Sequence, residues 1–171
     1  MEPLFSHGPR SESSQPAHEV PPAHTHRLSV PAPREIAYSA FVGDIHLWWP
    51  SNYTGFGSST HVYVEDGIIG EESEVGDTQA WGRVTAEDPP SSVEFAWTLA
   101  WRADAPTRVR VDFQPNPSGT GDGTTVTFVH DGWAPGAEGR EQYEKYSDWP
   151  AILGRYAAYF GVPAEAVETI K

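Results

Sequence analysis

The chain contains no cysteine, which excludes a disulfide framework, a thiolate nucleophile and a cysteine-based zinc site. It also lacks any apolar run approaching the roughly 20 residues of a membrane-spanning helix, and its N-terminus has no basic stretch followed by a hydrophobic core. The expectation is a cytoplasmic protein without membrane insertion. Basic residues are scarce, with 11 Lys and Arg against 24 Asp and Glu and a formal net charge of −13. Such a balance repels phosphate backbones, so no nucleic-acid partner is expected. Nucleotide loops, nucleophile motifs and metal-ligand constellations are missing as well, and neither a metal nor another cofactor is expected. The acidity concentrates between Thr60 and Gly82, where Glu65, Asp66, Glu71, Glu72, Glu74 and Asp77 stand without a Lys or Arg. Their offsets do not fit a calcium loop, and the pattern predicts a solvated strand-and-loop face.

Aromatic residues are abundant: seven Trp, seven Tyr and seven Phe in 171 residues, a length that suits one domain. The organising stretch runs from Gln79 to Arg102. Trp81, Val84 and Thr85 favour a strand, and Gly82 among them suggests a bulge or a close backbone approach. Pro89 and Pro90 force a turn. Beyond it Val93, Phe95, Trp97, Leu99 and Trp101 alternate with smaller or polar residues, which puts all five on one face of a sheet.

Residues 1–23, rich in Pro, Ser, His and Glu, read as a disordered tail. His24 and His26 close by make a poor metal site without a third ligand. A short strand over Thr25–Val30 is followed by a helix with Ile36, Ala37, Ala40 and Phe41 on one apolar face. Asp44 is placed to cap a second, shorter helix carrying Ile45 and Trp48. Strands are expected over His61–Glu65 and Ile68–Val75, joined by an Asp66–Gly67 hairpin turn, and again over Thr107–Phe113 and Thr124–His130. The glycine-rich loop between Asn116 and Gly123 opens onto a strand rather than a helix, so it is a hairpin turn and not a phosphate loop. A helix from Glu138 to Tyr146 precedes one bearing Trp149, Ile152, Leu153, Tyr156 and Phe160 on a single stripe, with Pro150 either kinking or dividing the two. Residues 163–171 read as a loose C-terminal tail. Strand, two short helices, about six antiparallel strands and a long C-terminal helix make an α+β pattern, with a curved sheet wrapped around the last helix.

The segments VPAPREIAYSAF, Trp48-Trp49-Pro50, WGRVTAEDPPSSVEFAW, TTVTFVHDGW and Trp149 with the Tyr156–Phe160 helix occur in an order that resembles the activator-of-Hsp90-ATPase-homologue family of the START/Bet v 1-like superfamily. The resemblance covers Val30 to Phe160 and implies a helix-grip domain, here residues 24–162. In two respects the sequence departs from it. Ile69-Gly70 stands where many relatives have a double glycine, and only the short tail precedes the fold, where eukaryotic co-chaperones carry a further domain. The resemblance implies an apolar cavity between sheet and helix for a small apolar or amphipathic molecule. Strand parity nominates Phe95, Trp97, Val111, Phe113, Phe128 and His130 as its lining, with Trp149, Leu153 and Tyr156 from the helix and Trp48 and Trp49 at one end. The competing reading is that these residues simply fill the core. Two other functions fit the resemblance: a chaperone-binding module using the acidic strand surface, or a cavity enzyme of cyclase or dehydratase type with His130 as acid/base and Tyr156 as its partner.

Overall fold

The computed structural model describes residues 20–116 and 122–171. The tail expected over residues 1–23 lies outside the described residues up to residue 19, and the hairpin loop expected between Asn116 and Gly123 lies outside them over 117–121. The chain runs β1 (His24–Val30), α1 (Arg34–Val42), α2 (Ile45–Trp48), β2 (Thr60–Glu65), β3 (Ile68–Ser73), β4 (Thr78–Asp88), β5 (Ser92–Trp97), β6 (Thr107–Pro115), β7 (Thr124–Asp131), α3 (Ala137–Lys145), α4 (Trp149–Tyr159) and β8 (Glu168–Ile170). The eight strands form one antiparallel sheet in the order β2-β3-β4-β5-β6-β7-β1-β8. Asp66 and Gly67 both take positive φ, 54° and 77°, as a two-residue hairpin turn requires.

Alternation decides which face is filled. Val93, Phe95 and Trp97 of β5, Val109, Val111 and Phe113 of β6, and Val126, Phe128 and His130 of β7 are all buried on the concave face. The cover comes from Tyr38 and Phe41 of α1, Ile45 and Trp48 of α2, and Ile152, Leu153 and Tyr156 of α4. On the opposite face Arg108 pairs with Asp131 (2.7 Å) and Arg110 with Asp112 (2.9 Å), exposed pairs that contribute little to stability.

Several local expectations give way to packing. β5 stops at Trp97, because the chain turns at Ala100 (φ 67°) with Trp101 N–H bonded to Thr98 O, so Leu99 and Trp101 leave the strand face. Ile36 is 51% exposed; α1 is rotated so that Tyr38 packs edge-on against Phe113, ring centroids 5.3 Å apart. Asp44 makes no side-chain cap and instead accepts a hydrogen bond from Tyr159 (3.2 Å). Pro150 divides the C-terminal helices, sitting in the first turn of α4. The residues expected as a loose C-terminal tail form a 3₁₀ turn, Ala164–Ala166, and then β8, which satisfies the outer edge of β1 through Thr25, His26 and Arg27.

The expected irregularity near Gly82 is a bulge. Ile69 pairs with Gly82 but Gly70 with Ala80, leaving Trp81 as the extra residue and turning its ring into the core. A Cβ on Gly82 would run into the carbonyl oxygen of Ala96 on β5. Gly82→Ala is therefore expected to lower unfolding stability by about 1–3 kcal/mol in denaturant titrations, as overpacking does; an unchanged midpoint would show that β4 and β5 separate without cost.

Candidate functional site

The sheet–helix interior is filled at its centre and open at one end. There a cleft of about 450 Å³ lies between the loop after α2, the end of β5 and the α3–α4 junction. Trp49, Trp97, Leu99, Trp149 and Ile152 give it apolar walls, and Asn52, Tyr53, Thr54, Gln79, Lys145 and Asp148 a polar rim. Three residues nominated from the sequence, Trp49, Trp97 and Trp149, line this cleft. Phe95, Val111, Phe113, Phe128, His130, Leu153 and Tyr156 do not; they pack behind it, each almost fully buried. Trp48 is also core, donating its indole N–H to the Ala40 carbonyl (2.9 Å).

One wall is irregular backbone, and a single carboxylate fixes it. Glu71 is fully buried, which overturns the expectation that it belongs to a solvated acidic face. It shares its face of β3 with Ile69, and its oxygens accept from Gly55 N–H (2.6 Å), Phe56 N–H (3.0 Å), the Thr60 hydroxyl (2.9 Å) and the Trp81 indole (2.7 Å). The loop is pinned again where Tyr53 donates to Asp148 (3.0 Å) and accepts from the Trp49 indole through its carbonyl (3.1 Å). A Cβ on Gly55 would crowd the Glu71 carboxylate and push the exposed Gln79 side chain aside. Parity could have assigned Glu71 to the core, because Ile69 and Glu71 are two apart. Trp81 had no such signal, because the bulge resets its parity.

His130 has no free nitrogen. The Trp149 indole, a donor only, donates to Nδ1 (2.9 Å), so the neutral ring carries its proton on Nε2 and donates to Thr107 Oγ1 (2.6 Å). The Thr107 hydroxyl in turn donates to the Trp97 carbonyl (3.3 Å). Burial, with a smaller push from His24, lowers His130 to about 3. The same two causes, in the same order, lower His26 to about 4, and His26 meets Thr169 on β8 (3.1 Å). His24 donates to the Tyr143 carbonyl (2.7 Å) and stacks on that ring. Among the described residues no group of three or more potential ligands could hold a metal ion. Tyr156 does not meet His130 in a hydrogen bond but donates to the Ala37 carbonyl (2.7 Å). Tyr146 donates to the Leu99 carbonyl at the cleft edge. Burial raises the pKa of both tyrosines well above the ordinary range.

A curved antiparallel sheet gripping a C-terminal helix, with an aromatic-walled cleft at one end, defines a helix-grip protein. The chain belongs to the activator of Hsp90 ATPase homologue 1-like family, whose match covers residues 31–161. No match was found among curated proteins. Among solved structures it is similar to an Hsp90 activator from Plasmodium falciparum, at 17% identity and a TM-score of 0.54, covering 82% of this chain and 97% of that one. It is equally similar in fold to an anthrahydroquino-γ-pyrone synthase complexed with SUM, at 25% identity and a TM-score of 0.54, covering 81% and 97%. The protein XoxI from Bacillus cereus aligns at 12% identity and a TM-score of 0.54, covering 81% and 94%. No helix among the described residues is long and apolar enough to cross a membrane.

Two outcomes follow from this geometry. Glu71→Ala orphans several buried donors at once and should cost at least about 3 kcal/mol, whereas Glu72→Ala, on the exposed side of β3, should stay within about 0.5 kcal/mol; equal effects in thermal melts would refute the buried network. Both lowered histidines take up protons on unfolding before they do so in the fold, so unfolding stability is complete above about pH 7 and falls as pH drops below 6.5 toward 4 and then 3. The loss is about 2 kcal/mol for His130 by pH 5 and smaller for the less deeply enclosed His26. His26→Gln should flatten part of this slope; an unchanged pH profile would place the acid sensitivity elsewhere.

Proposed function

We propose that this protein reversibly binds a small, largely apolar or amphipathic molecule in the cleft, as a cytoplasmic protein and without metal or nucleotide. The observation that carries the reading is the wall of three indoles, Trp49, Trp97 and Trp149, around about 450 Å³ of open space with polar side chains only at the rim. Such a shape suits a flat molecule sandwiched by rings, with its polar substituents directed outward. The synthase at 25% identity, solved complexed with SUM, supports a ligand site in this fold.

The alternative readings have less behind them. Likeness to the Hsp90 activator at 17% identity carries the fold alone. The acidic docking face invoked for a chaperone partner loses Glu71 to the interior, so charge reversal there would test folding rather than docking. Acid/base catalysis by His130 gains no support from a ring that is buried behind the cleft with both nitrogens engaged.

Native mass spectrometry of freshly purified protein, followed by organic extraction, tests the proposal. A reproducible adduct that leaves on denaturation is the expected result. A clean apo mass, together with no calorimetric response to flat aromatic compounds, would overturn it.

A further inference from the structure

Lysine occurs in this chain only at Lys145 and Lys171, against a net charge of −13. Lys145 is exposed, closes α3, and is the one cation among the described residues that line the cleft. Acidic side chains outnumber basic ones by 24 to 11, so a carboxylate partner should be easy to find. Arg102, Arg108 and Arg110 each have one. The Lys145 ammonium has none among the described residues, although Glu141 stands one turn earlier on α3, at the spacing that favours a Glu–Lys pair. The carboxylate that lines the cleft, Asp148, is engaged by the Tyr53 hydroxyl (3.0 Å). The exposed side-chain amides of Asn52 and Gln79, also at the rim, make no hydrogen bond to a described residue. What the rim leaves uncommitted is therefore a cation and two amides.

A lysine in the last turn of a helix complements the helix dipole, but that role asks nothing of the cleft beside it. We propose that the cleft takes planar aromatic molecules bearing a carboxylate, and that Lys145 pairs with that group at the mouth. The inference rests on the ligand-binding reading above and adds the charge of the ligand. A carboxylate conjugated with its ring stays flat enough for the space among Trp49, Trp97 and Trp149. The four-carbon stem of a lysine is flexible and places its ammonium over the opening. Because the pair forms at the rim, both charges keep part of their hydration, and the desolvation cost that defeats buried ion pairs is largely avoided. The acidity of the whole chain repels an anion only at long range, and salt screens that repulsion over a Debye length of about 8 Å; a contact pair is screened far less. Lys145 then serves as a specificity-determining residue that separates an aromatic acid from its neutral isostere, while the indoles contribute ring surface to both.

2-Naphthoate and 2-naphthamide test this, since the two share a flat bicyclic shape and differ in charge at neutral pH. Each is titrated calorimetrically into the full chain and into its Lys145→Gln and Lys145→Arg variants. Comparing each ligand across variants cancels the difference in their intrinsic solvation. Lys145→Gln should weaken naphthoate about fivefold more than naphthamide, the upper range for a solvent-exposed ion pair. Lys145→Arg, which keeps the charge, should hold the ratio of the two affinities within about twofold of its original value. Position 145 is exposed, so matching thermal melts are expected for all three proteins. If Lys145→Gln weakens both ligands alike or neither, or if the amide alone binds, the inference is wrong while ligand binding stands. If neither compound binds the unmodified chain, the ligand-binding reading falls and takes the inference with it.

Discussion

A carboxylate buried without a positive partner is costly unless its oxygens are fully hydrogen-bonded, and among the described residues Glu71 meets that condition with neutral donors alone. Everything at the open end of the fold follows from it. The Trp81 indole, brought inward by the bulge, supplies one donor, and the backbone of residues 55 and 56 supplies two more. The loop after α2 is thereby held off the sheet rather than collapsed onto it. A methylene-for-methylene apolar replacement at this position would leave the amides of Gly55 and Phe56 without their acceptor, and the loop would be held by Tyr53 alone.

The centre of the domain obeys a different logic. Large rings meet edge-on or tilted: Phe41 with Tyr156 at 5.1 Å, Phe128 with Trp149 at 4.3 Å and Trp97 with Trp149 at 5.5 Å. Their polar tips are tied off internally, by Ala37 for Tyr156 and by His130 for Trp149. His130 thus acts as an internal acceptor that locks the rotamer of a cleft-lining indole, and through Thr107 it reaches the carbonyl of Trp97 as well. Filled centre and open end are continuous, with the same tryptophans facing both.

The α+β pattern, the sheet's concave face and the stripe of the last helix were legible in the sequence because periods of two and 3.6 survive in Val93–Trp97, Val109–Phe113, Val126–His130 and Ile152–Tyr156. What the sequence hid has physical causes too. Trp81 lost its parity to a bulge, Ile36 lost its burial to a helix rotated by the bulk of Tyr38, and β8 is too short to carry a pattern of its own. Parity also could not separate core from cleft. Phe95 and Trp97 share a face, yet only Trp97 borders open space, because the end of β5 is where the covering helices part. Charge composition misled most: six carboxylates in a row of strand and loop look alike until one of them acquires a pocket of donors.

In five of their six pairings the rings of Trp49, Trp81, Trp97 and Trp149 stand with centroids 5.1 to 6.2 Å apart. At such separations the transition dipoles of the indoles interact, and excitation is shared among rings rather than confined to one. The near-ultraviolet circular dichroism of the protein should therefore carry exciton couplets dominated by this quartet. The absorbing unit is a cluster, and whatever touches its outer member is felt optically by rings that the solvent never reaches.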